Sequence, residues 1–404
     1  MKILMLSSTF PYPPTQGGTQ VRTFNLLKYL SANHAITMMT QHSSDVTDTD
    51  VEALREWVEE LIIFPQPQHS NVEGGFFGKM QRFSTFLQQG TPPSLLHDYS
   101  QDIQQWVDEA VELGTFEAIT CEHSENEIYV RPEWQQRLRT VVNIHSSIYR
   151  TCRQYLETRT SDNQLRDQLN LPLLHRYEER YCAKFTNLVV TTSEDRRQIA
   201  AFEPQGKITI IPNGVDLALF PKRISDPGGH RLVFTGAMDE RANVDAVRFF
   251  ALEVFPDIQQ RYPEAKLELV GSRPTPEVLE LAERPGITVT GYVPTMVDHL
   301  HKATICVVPM RIGFGIKNKT LEAMAAGTPV VGSDRGLEGL AVDGAEVPLR
   351  ALRANEPAEY VYAISRLFED RQLRKQLSEN ARSLIETKYT WERAGKLYEQ
   401  VLMG

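Results

Sequence analysis

The sequence predicts an α/β protein in which two doubly wound parallel sheets follow one another along the chain. Its 404 residues exceed what one hydrophobic core usually serves, so we expect two domains. Short β-branched runs alternate with segments of helical periodicity, which is the pattern of β-α units. One interruption, at 217–230, carries prolines and glycines with little periodicity and is typical of a linker between domains.

Seven candidate strands precede this interruption. Each is a short apolar or β-branched run bounded by turn residues. Their segments are KILMLSS (2–8), AITMMT (35–40), LIIFPQ (61–66), FEAITCE (116–122), TVVNIHS (140–146), NLVVTTS (187–193) and KITIIPN (207–213). Together they predict an amino-terminal domain over 1–216.

A second series of strands predicts a second domain over 231–386. Its segments are RLVFTG (231–236), AKLELVG (265–271), ITVTGY (287–292), ATICVVP (303–309), TPVVGSD (328–334) and AEVPL (345–349). The last part of the chain places apolar residues at helical spacing, so we expect a closing helix within 387–404. Doubly wound sheets bind ligands at the carboxyl ends of their strands, and we expect the two sheets to face a cleft.

The composition argues against several classes of function. A formal net charge of −9 disfavours nucleic acid as the main partner, because proteins that bind phosphate backbones normally carry a basic surface. The 4 cysteines lie far apart without a C-x-x-C pair, so neither disulfides nor a metal site is indicated. The first residues lack the long apolar region of a signal peptide, and no run approaches about 18 apolar residues. We therefore expect a cytoplasmic protein.

The most informative segment is GFGIKNKTLEAMAAGTPVV (313–331), which directly follows the candidate strand ATICVVP. Its glycines open a helix whose first turn can present N–H groups and a positive dipole end to phosphate oxygens. Lys317 and Lys319 add positive charge, so the segment predicts an anion site. Glu322 follows near the start of this helix. Its carboxylate could accept hydrogen bonds from two ribose hydroxyls, or only complement the helix dipole.

Four segments together resemble the retaining GT-B glycosyltransferases of family four, the glycosyl transferases group 1. Residues 322–331 resemble the signature L-E-A-M-A-x-G-x-P-V-V, and residues 211–216 resemble the segment I-P-N-G-V-D at the domain junction. Gly17 and Gly18 resemble the amino-terminal glycine loop. The closing YTWERAGKLYEQ resembles the terminal helix that crosses back to the first domain in that family. The loop before Glu322 is most similar to exopolysaccharide-type sugar transferases.

The resemblance implies that the second domain binds a nucleotide sugar and the first domain binds the acceptor. Glu322 would contact the ribose, and Arg241 would assist in binding the diphosphate. The other expected donor-binding residues are Gly313, Phe314, Gly315, Ile316, Lys317 and Lys319. Many members carry a further glutamate at the donor sugar, where this sequence has Phe314.

Two histidines of the first domain follow strand ends, so the loops that carry them should face the cleft. They are His123 in CEHSENEIYV and His145 in VNIHSS. The family keeps a histidine against the donor sugar, and His123 is the better match, which implies a catalytic role beside Lys317 and Lys319. His145 is the second choice. A single histidine is more often a packed or surface residue than a catalytic one.

The sequence gives weaker signals for the residues that would bind the acceptor. If the segment after His145 is helical, Arg150 and Arg153 share a face and could hold an anionic acceptor such as a phosphosugar. Charged residues at this spacing more often form a solvent-exposed helix face. The expected acceptor or phosphate-loop residues are Gly17, Gly18, His145, Arg150 and Arg153.

FFGKMQRFSTFL (76–87) also has apolar residues at helical spacing, with Lys79 and Arg82 alongside. It could contact the inner face of a membrane that carries a lipid-linked acceptor. Packing onto the first domain is the plainer interpretation, and we prefer it.

We therefore expect a retaining, metal-independent hexosyltransferase that needs no cofactor besides its nucleotide-sugar substrate. UDP-glucose is the default donor, and the acceptor is a polysaccharide, a lipid-linked intermediate or a phosphosugar, as in sucrose-phosphate synthesis. A nucleotide-sugar epimerase of the same fold is an alternative that would need no acceptor. A non-catalytic sugar-binding protein is another, which Phe314 favours and Glu322 opposes. A dehydrogenase is weaker still, because GFGIKN lacks the third glycine of G-x-G-x-x-G.

Overall fold

A computed structural model describes residues 1–14, 17–43, 45–66, 84–88, 90–158 and 160–404. Within them the chain forms two compact units, each built around its own parallel sheet. Unit 1 comprises Met1–Ile211 together with Gly395–Gly404, and unit 2 comprises Pro212–Ala394. The predicted α/β class with two doubly wound sheets is confirmed.

Unit 1 contains a seven-stranded sheet with the order β3-β2-β1-β4-β5-β6-β7. Its strands are β1 (Lys2–Ser7), β2 (Ala35–His42), β3 (Glu60–Pro65), β4 (Ala118–Glu122), β5 (Arg139–Asn143), β6 (Asn187–Val190) and β7 (Ile208–Ile210). The apolar side chains from Ile3 to Leu6 are fully buried, as expected for a parallel strand with both faces covered. The strand order reverses between β1 and β4, so the carboxyl ends of these two strands are the expected ligand site.

The helices of unit 1 connect these parallel strands, because a parallel pair needs a long crossover. They include Gly18–Leu30, Asp48–Arg55, Pro93–Asp98, Gln101–Glu112, Ile148–Glu157, Gln164–Cys182 and Ser193–Phe202, with 3₁₀ turns at Ser124–Tyr129 and Pro132–Gln136. Side chains of Thr47, Ser147 and Thr192 cap three of them by accepting a backbone N–H of the first turn.

Unit 2 repeats the arrangement with six strands in the order β10-β9-β8-β11-β12-β13. They are β8 (Arg231–Thr235), β9 (Lys266–Val270), β10 (Ile287–Gly291), β11 (Ile305–Val308), β12 (Val330–Gly332) and β13 (Leu352–Arg353). The helices include Arg241–Phe249, Phe255–Arg261, Pro276–Leu279, Met296–Lys302, Asn318–Ala325, Pro357–Glu369 and Arg371–Lys388. The strand order reverses between β8 and β11, so the loop after β11 lies at the switch point.

The last strand of unit 2 lies later in the chain than we expect. The prediction of a strand at AEVPL (345–349) is wrong, because this segment forms a turn in which the N–H of Val347 donates to the carbonyl of Gly344. Leu352 and Arg353 pair with β12 instead. A strand of two residues is too short to show an alternating pattern in the sequence. The apolar residues of AEVPL look like a strand in the sequence, although this segment pairs with none of the described strands of the sheet.

The segment 217–230, which we expect to be a linker, packs within unit 2. Arg223 is buried, and its guanidinium donates to the carbonyl of Ala303. Its backbone N–H donates to the carbonyl of Ala326. Residues 212–216 also belong to unit 2. The limits 1–216 and 231–386 stay predictions, because compactness does not test which part of a chain folds independently.

The amphipathic segment 76–87 lies mostly outside the described residues, so its contact with a membrane stays a prediction. None of the helices in the described part of the chain is long and apolar enough to cross a membrane.

The closing helix spans Trp391–Met403, and its residues from Gly395 onward belong to unit 1. Tyr398 is fully buried, and its hydroxyl donates to Oε1 of Glu122 at the end of β4. Gly395 lies against Tyr29, since a Cβ at this position would be 2.2 Å from Cγ of that ring. The predicted return of the closing helix to the first domain is therefore confirmed.

Replacing Gly395 by alanine should destabilise unit 1 by about 1–3 kcal/mol, because the added methyl group overlaps the ring of Tyr29 in a packed contact. This loss should exceed the gain of about 1 kcal/mol in helix propensity. Urea denaturation followed by circular dichroism measures the change. Gln400→Ala, on the exposed face of the same helix, is the control. An unchanged midpoint for Gly395→Ala would mean that the helix does not pack on Tyr29 in solution.

Candidate functional site

The loop that follows β11 in unit 2 turns back on itself at two glycines. Gly313 (φ 124°) and Gly315 (φ 68°) both have positive φ, which residues with a Cβ rarely adopt. Lys317 lies across the loop, because its Nζ donates to the carbonyl oxygens of Phe314 (3.1 Å) and Gly315. The glycines therefore allow the loop to hold its own lysine in place before the next helix begins.

That helix spans Asn318–Ala325 and carries Lys319 and Glu322, both half-buried. It lies wholly within the described residues, and no side chain caps its first turn. Its amino end therefore combines a positive dipole end, orphan N–H groups and two lysines. This combination suits a phosphate group.

Lys319 lies in a pocket that two glycines make possible. Its Nζ donates to Oδ1 of Asn243 (2.5 Å) and lies 4.3 Å from the centre of the Phe234 ring, which is a cation–π distance. A Cβ at Gly236 would come within 2.8 Å of this Nζ. A Cβ at Gly271 would come within 1.8 Å of the carbonyl oxygen of Gly236. Side chains at either glycine would close the pocket.

Burial changes the charge states of the two groups on this helix. It lowers the pKa of Lys319 from 10.5 to about 7, against the opposing effect of Glu322. It raises the pKa of Glu322 from 4.5 to about 7, against the opposing effect of Lys319. Both groups therefore titrate near neutral pH, and a bound anion would favour the charged lysine.

Glu338 is a third charged group beside this loop. Its carboxylate accepts a hydrogen bond from Nη1 of Arg335 (3.0 Å) and lies 3.7 Å from Nζ of Lys317. The side chains of Lys317 and Glu338 are only 10% and 7% exposed, so the attraction between them is weakly screened. Glu338 thus helps to hold Lys317 at the loop, a role for which the sequence offers no signal.

The IPNGVD segment supports the same helix. Nδ2 of Asn213 donates to Oδ1 of Asn318 (2.7 Å), the first residue of the helix. A Cβ at Gly214 would lie 2.3 Å from the backbone nitrogen of Trp391, so this position requires glycine. Arg241 begins the helix after β8, and its contact with a donor stays a prediction.

In unit 1, His123 follows β4 and His145 follows β5, and their ring centres are 5.3 Å apart. His123 has φ 88°, a strained conformation that often marks a functional position. The N–H of Glu125 donates to Nδ1 of His123 (3.4 Å), so Nε2 bears the proton of the neutral ring and donates to Oγ of Ser146 (3.2 Å). Burial lowers the pKa of His123, although the carboxylate of Glu125 opposes the shift.

His145 is also neutral near physiological pH. Burial lowers its pKa well below 6.5, with smaller contributions from His123 and Arg22. Its Nδ1 lies 3.4 Å from Oγ1 of Thr19, which follows directly on Gly17 and Gly18. The structure therefore brings the glycine loop and both histidines together, as the sequence predicts for one edge of the first sheet. The catalytic role of His123 stays a prediction.

A buried polar network adjoins these histidines. Nε of Arg22 donates to Oδ1 of Asn143 (3.0 Å), and Nδ2 of Asn143 donates to Oε2 of Glu122 (2.9 Å), which Tyr398 also contacts. Burial lowers the pKa of Arg22 to about 10 and raises the pKa of Glu122. Because the N–H of His123 donates to the carbonyl of Asn143 (3.1 Å), the network helps to fix the strand ends that carry the histidines.

Arg150 and Arg153 do not share one environment. Arg150 is buried and forms an ion pair with Asp195 (3.1 Å), whereas Arg153 is exposed and pairs with Glu157 (2.7 Å) on its own helix. Both arginines already contact carboxylates. Their binding of an anionic acceptor stays a prediction.

Two of the residues that we did not select have a signal in the sequence. Arg22 interrupts an apolar helix, and Glu122 is the last residue of an otherwise apolar strand. A charge at such positions is unusual unless it is paired. Asn243 and Glu338 have no comparable signal, because their partners are distant in the chain.

Among the described residues, no three His, Cys, Asp or Glu side chains lie close enough together to hold a metal ion. Independence from metal stays a prediction.

Two family models match the chain. Residues 16–219, half of the chain, match Glycosyltransferase Family 4, and residues 229–370 match Glycosyl transferases group 1. The putative glycosyltransferase YtcC of Bacillus subtilis is 26% identical over 248 residues. That match covers 54% of this chain and 61% of YtcC, so the chain spans less than two thirds of this relative.

Solved structures share the fold over the whole chain. Sucrose-phosphate synthase from Thermosynechococcus elongatus superimposes with a TM-score of 0.69 at 18% identity, covering 100% of this chain and 99% of that one. HepE from Anabaena, solved in complex with UDP and glucose, gives a TM-score of 0.63 at 14% identity, with the same coverage. The predicted GT-B architecture of two Rossmann-like domains is thereby confirmed.

Glu322→Gln should gain stability relative to wild type as the pH rises from 5 to 8. Folding raises the pKa of Glu322, so the wild type loses stability as the pH rises from 4.5 through 7, and glutamine avoids this loss. The difference in unfolding free energy should shift in favour of the variant by about 1–3 kcal/mol. Urea denaturation at both pH values measures it, with Glu379→Gln on an exposed helix face as the control. A difference that does not change with pH would contradict the burial of this carboxylate.

Proposed function

Because the chain belongs to Glycosyltransferase Family 4, we propose that it moves a hexose from a nucleoside diphosphate sugar to a hydroxyl group of a sugar acceptor. The observation that carries this proposal is the grouping of Lys317, Lys319 and Glu322 around one uncapped helix start at the switch point of the second sheet. That position binds ligands in doubly wound folds, and its charges suit a diphosphate joined to a ribose.

Each group has a distinct role in the proposed donor site. The amino end of the helix and the two lysines bind the diphosphate, and Arg241 assists. Glu322 accepts hydrogen bonds from ribose hydroxyls in its ionised form. Phe314 stands where many family members have a glutamate at the donor sugar, so contacts with the sugar must come from other groups. His123 is retained as the candidate histidine for that sugar.

In the reaction, the bond between the anomeric carbon and the diphosphate oxygen breaks, and a bond to the acceptor oxygen forms on the same face of the sugar ring. The anomeric configuration is therefore retained. The acceptor proton passes to the departing phosphate, and the products are a glycoside and a nucleoside diphosphate. Negative charge grows on the leaving phosphate, and Lys317, Lys319 and the N–H groups of the helix stabilise it without reorganising. We propose that these groups replace a metal ion.

UDP-glucose is the proposed donor, supported by the shared fold of HepE, whose structure contains UDP and glucose. The acceptor is a polysaccharide, a lipid-linked intermediate or a phosphosugar. The purified protein should release UDP from UDP-glucose when one of these acceptors is added, and release should continue in EDTA. Proton NMR of the product should show an α-linkage. Conversion of the nucleotide sugar without any acceptor would instead identify an epimerase, and binding without either reaction would identify a sugar-binding protein.

Lys319→Ala and Lys317→Ala should lose more turnover than donor affinity. The lysines face a charge that grows as the bond breaks, so each substitution should lower kcat about 100-fold. Affinity for UDP-glucose should change less than about tenfold. Steady-state kinetics and calorimetry measure the two effects, with Lys375→Ala on an exposed helix face as the control. If turnover stays normal and only the affinity for UDP-glucose falls, these lysines act in binding the donor and not in stabilising the transition state.

A further inference from the structure

Asn243 joins two distant segments of unit 2. It lies on the helix Arg241–Phe249, and its Oδ1 accepts a hydrogen bond from Nζ of Lys319 (2.5 Å), which lies 76 residues later in the chain. Its Nδ2 donates to the carbonyl of Ala237 (2.8 Å), and its backbone N–H donates to the carbonyl of Glu240 (2.8 Å). These bonds fix the orientation of the side-chain amide, with its oxygen toward the lysine.

The ammonium group of Lys319 keeps donors that the protein does not use. An ammonium has three N–H donors and no acceptor. Among the residues that the structure describes, Asn243 is the one hydrogen-bond acceptor of Nζ, and the centre of the Phe234 ring lies 4.3 Å from it. Unused donors on a half-buried charge indicate a ligand, because removing a charge from water is costly unless its hydrogen bonds are completed.

The contact between Asn243 and Lys319 is shielded from water and closely confined. Asn243 is only 9% exposed, so water competes weakly for its oxygen. A Cβ at Gly236 would come within 2.8 Å of both Nδ2 of Asn243 and Nζ of Lys319. The two side chains therefore lie directly beside the end of β8, where the strand order of this sheet reverses.

The hydrogen-bond acceptor of Lys319 carries no charge, in contrast to the group beside Lys317. The carboxylate of Glu338 lies 3.7 Å from Nζ of Lys317, so part of that positive charge is already balanced. An amide oxygen holds an ammonium group without balancing its charge. Lys319 can therefore be held in place by Asn243 and still attract an anionic ligand.

Other ionisable groups act on Lys319 from the segments around it, and they are Lys317, Glu322, Glu240 and Cys306. Burial lowers the pKa of Lys319 to about 7, and Lys317 adds to this effect, whereas the acidic groups oppose it. None of these groups changes when Asn243 is replaced. Substitutions at Asn243 therefore test its own effect on the lysine.

We propose that Asn243 is a positioning residue for Lys319, and that this neutral acceptor holds the ammonium group ready to bind the departing phosphate of the donor. The inference rests on the proposed function and adds a residue to it. Asn243 acts through the lysine, so its loss should affect turnover only while Lys319 is present.

Asn243→Ala should lower kcat for the release of UDP from UDP-glucose about tenfold and change KM less than about threefold. The reason is that the position of the lysine matters most when charge grows on the phosphate. In a Lys319→Ala background the same substitution should have no further effect, as expected of two residues that act as a unit. Asn380→Ala is the matched control, since the amide of Asn380 also donates to a backbone carbonyl of unit 2, that of Leu349 (2.9 Å). This control should turn over as wild type does.

A titration of Lys319 without any ligand gives a measurement that a merely structural role would not change. The carbon NMR signal of its ε-carbon, identified by its loss in Lys319→Arg, reports the pKa of the lysine. Asn243→Ala should lower this pKa, because the charged form loses a hydrogen bond. Asn243→Asp, which keeps the shape of the side chain, should raise it by about 1–2 units, because it adds a carboxylate. Asn380→Asp should leave it unchanged.

Asn243→Asp also tests why the acceptor is neutral. Its carboxylate would pair with the ammonium group and repel the phosphate, so kcat should fall about tenfold even though more of the lysine is charged. This variant remains measurable if Asn243→Ala is unstable.

The outcomes separate this inference from the proposed function. Opposite pKa shifts in the two Asn243 variants, with a loss of turnover confined to protein that contains Lys319, would support the inference. An unchanged pKa of Lys319 in both variants, a further loss when Asn243→Ala is added to Lys319→Ala, or wild-type turnover in Asn243→Asp would each overturn it. If the wild-type protein releases no UDP from UDP-glucose, the proposed function fails, and the titration alone decides whether Asn243 holds Lys319.

Discussion

The backbones of Gly236 and Gly271 approach so closely that Gly271 cannot carry a side chain, and the candidate site of unit 2 depends on this contact. It joins the ends of β8 and β9 and leaves the space that Nζ of Lys319 occupies beside Asn243 and Phe234. A charge in that space is partly removed from water, which lowers the pKa of Lys319 to about 7. The geometry of two glycines thus sets the charge state of a lysine on a different segment.

Electrostatics in this site oppose the overall charge of the protein. The chain carries a formal net charge of −9, yet two lysines and an uncapped helix start meet at the end of β11. Glu338 lies beside Lys317 in the unbound site, so a diphosphate must compete with a carboxylate that is already in place. Such a site gains more affinity from a dianionic ligand than from a singly charged one, because the second charge helps to repay the cost of separating this pair.

Unit 1 follows a different principle, since the strand ends that carry its two histidines are organised by a buried network rather than by exposed charges. Tyr398 of the closing helix, Glu122 and Asn143 join three distant parts of the chain below the loops that carry the histidines. Burial of this network raises the pKa of Glu122 and lowers the pKa of Arg22, whereas the candidate site of unit 2 is organised by lysines beside a helix start.

Local pattern in the sequence determined most of the fold and the loop that precedes Glu322. The strands of both sheets, the closing helix and the segment with Lys317, Lys319 and Glu322 are all contiguous, so periodicity and spacing reveal them. Only the tertiary structure decided the short β13, the roles of Asn243 and Glu338, and the pairing of Arg150 with Asp195. Each of these depends on burial and on a partner far along the chain, and neither property is encoded in the residues next to it.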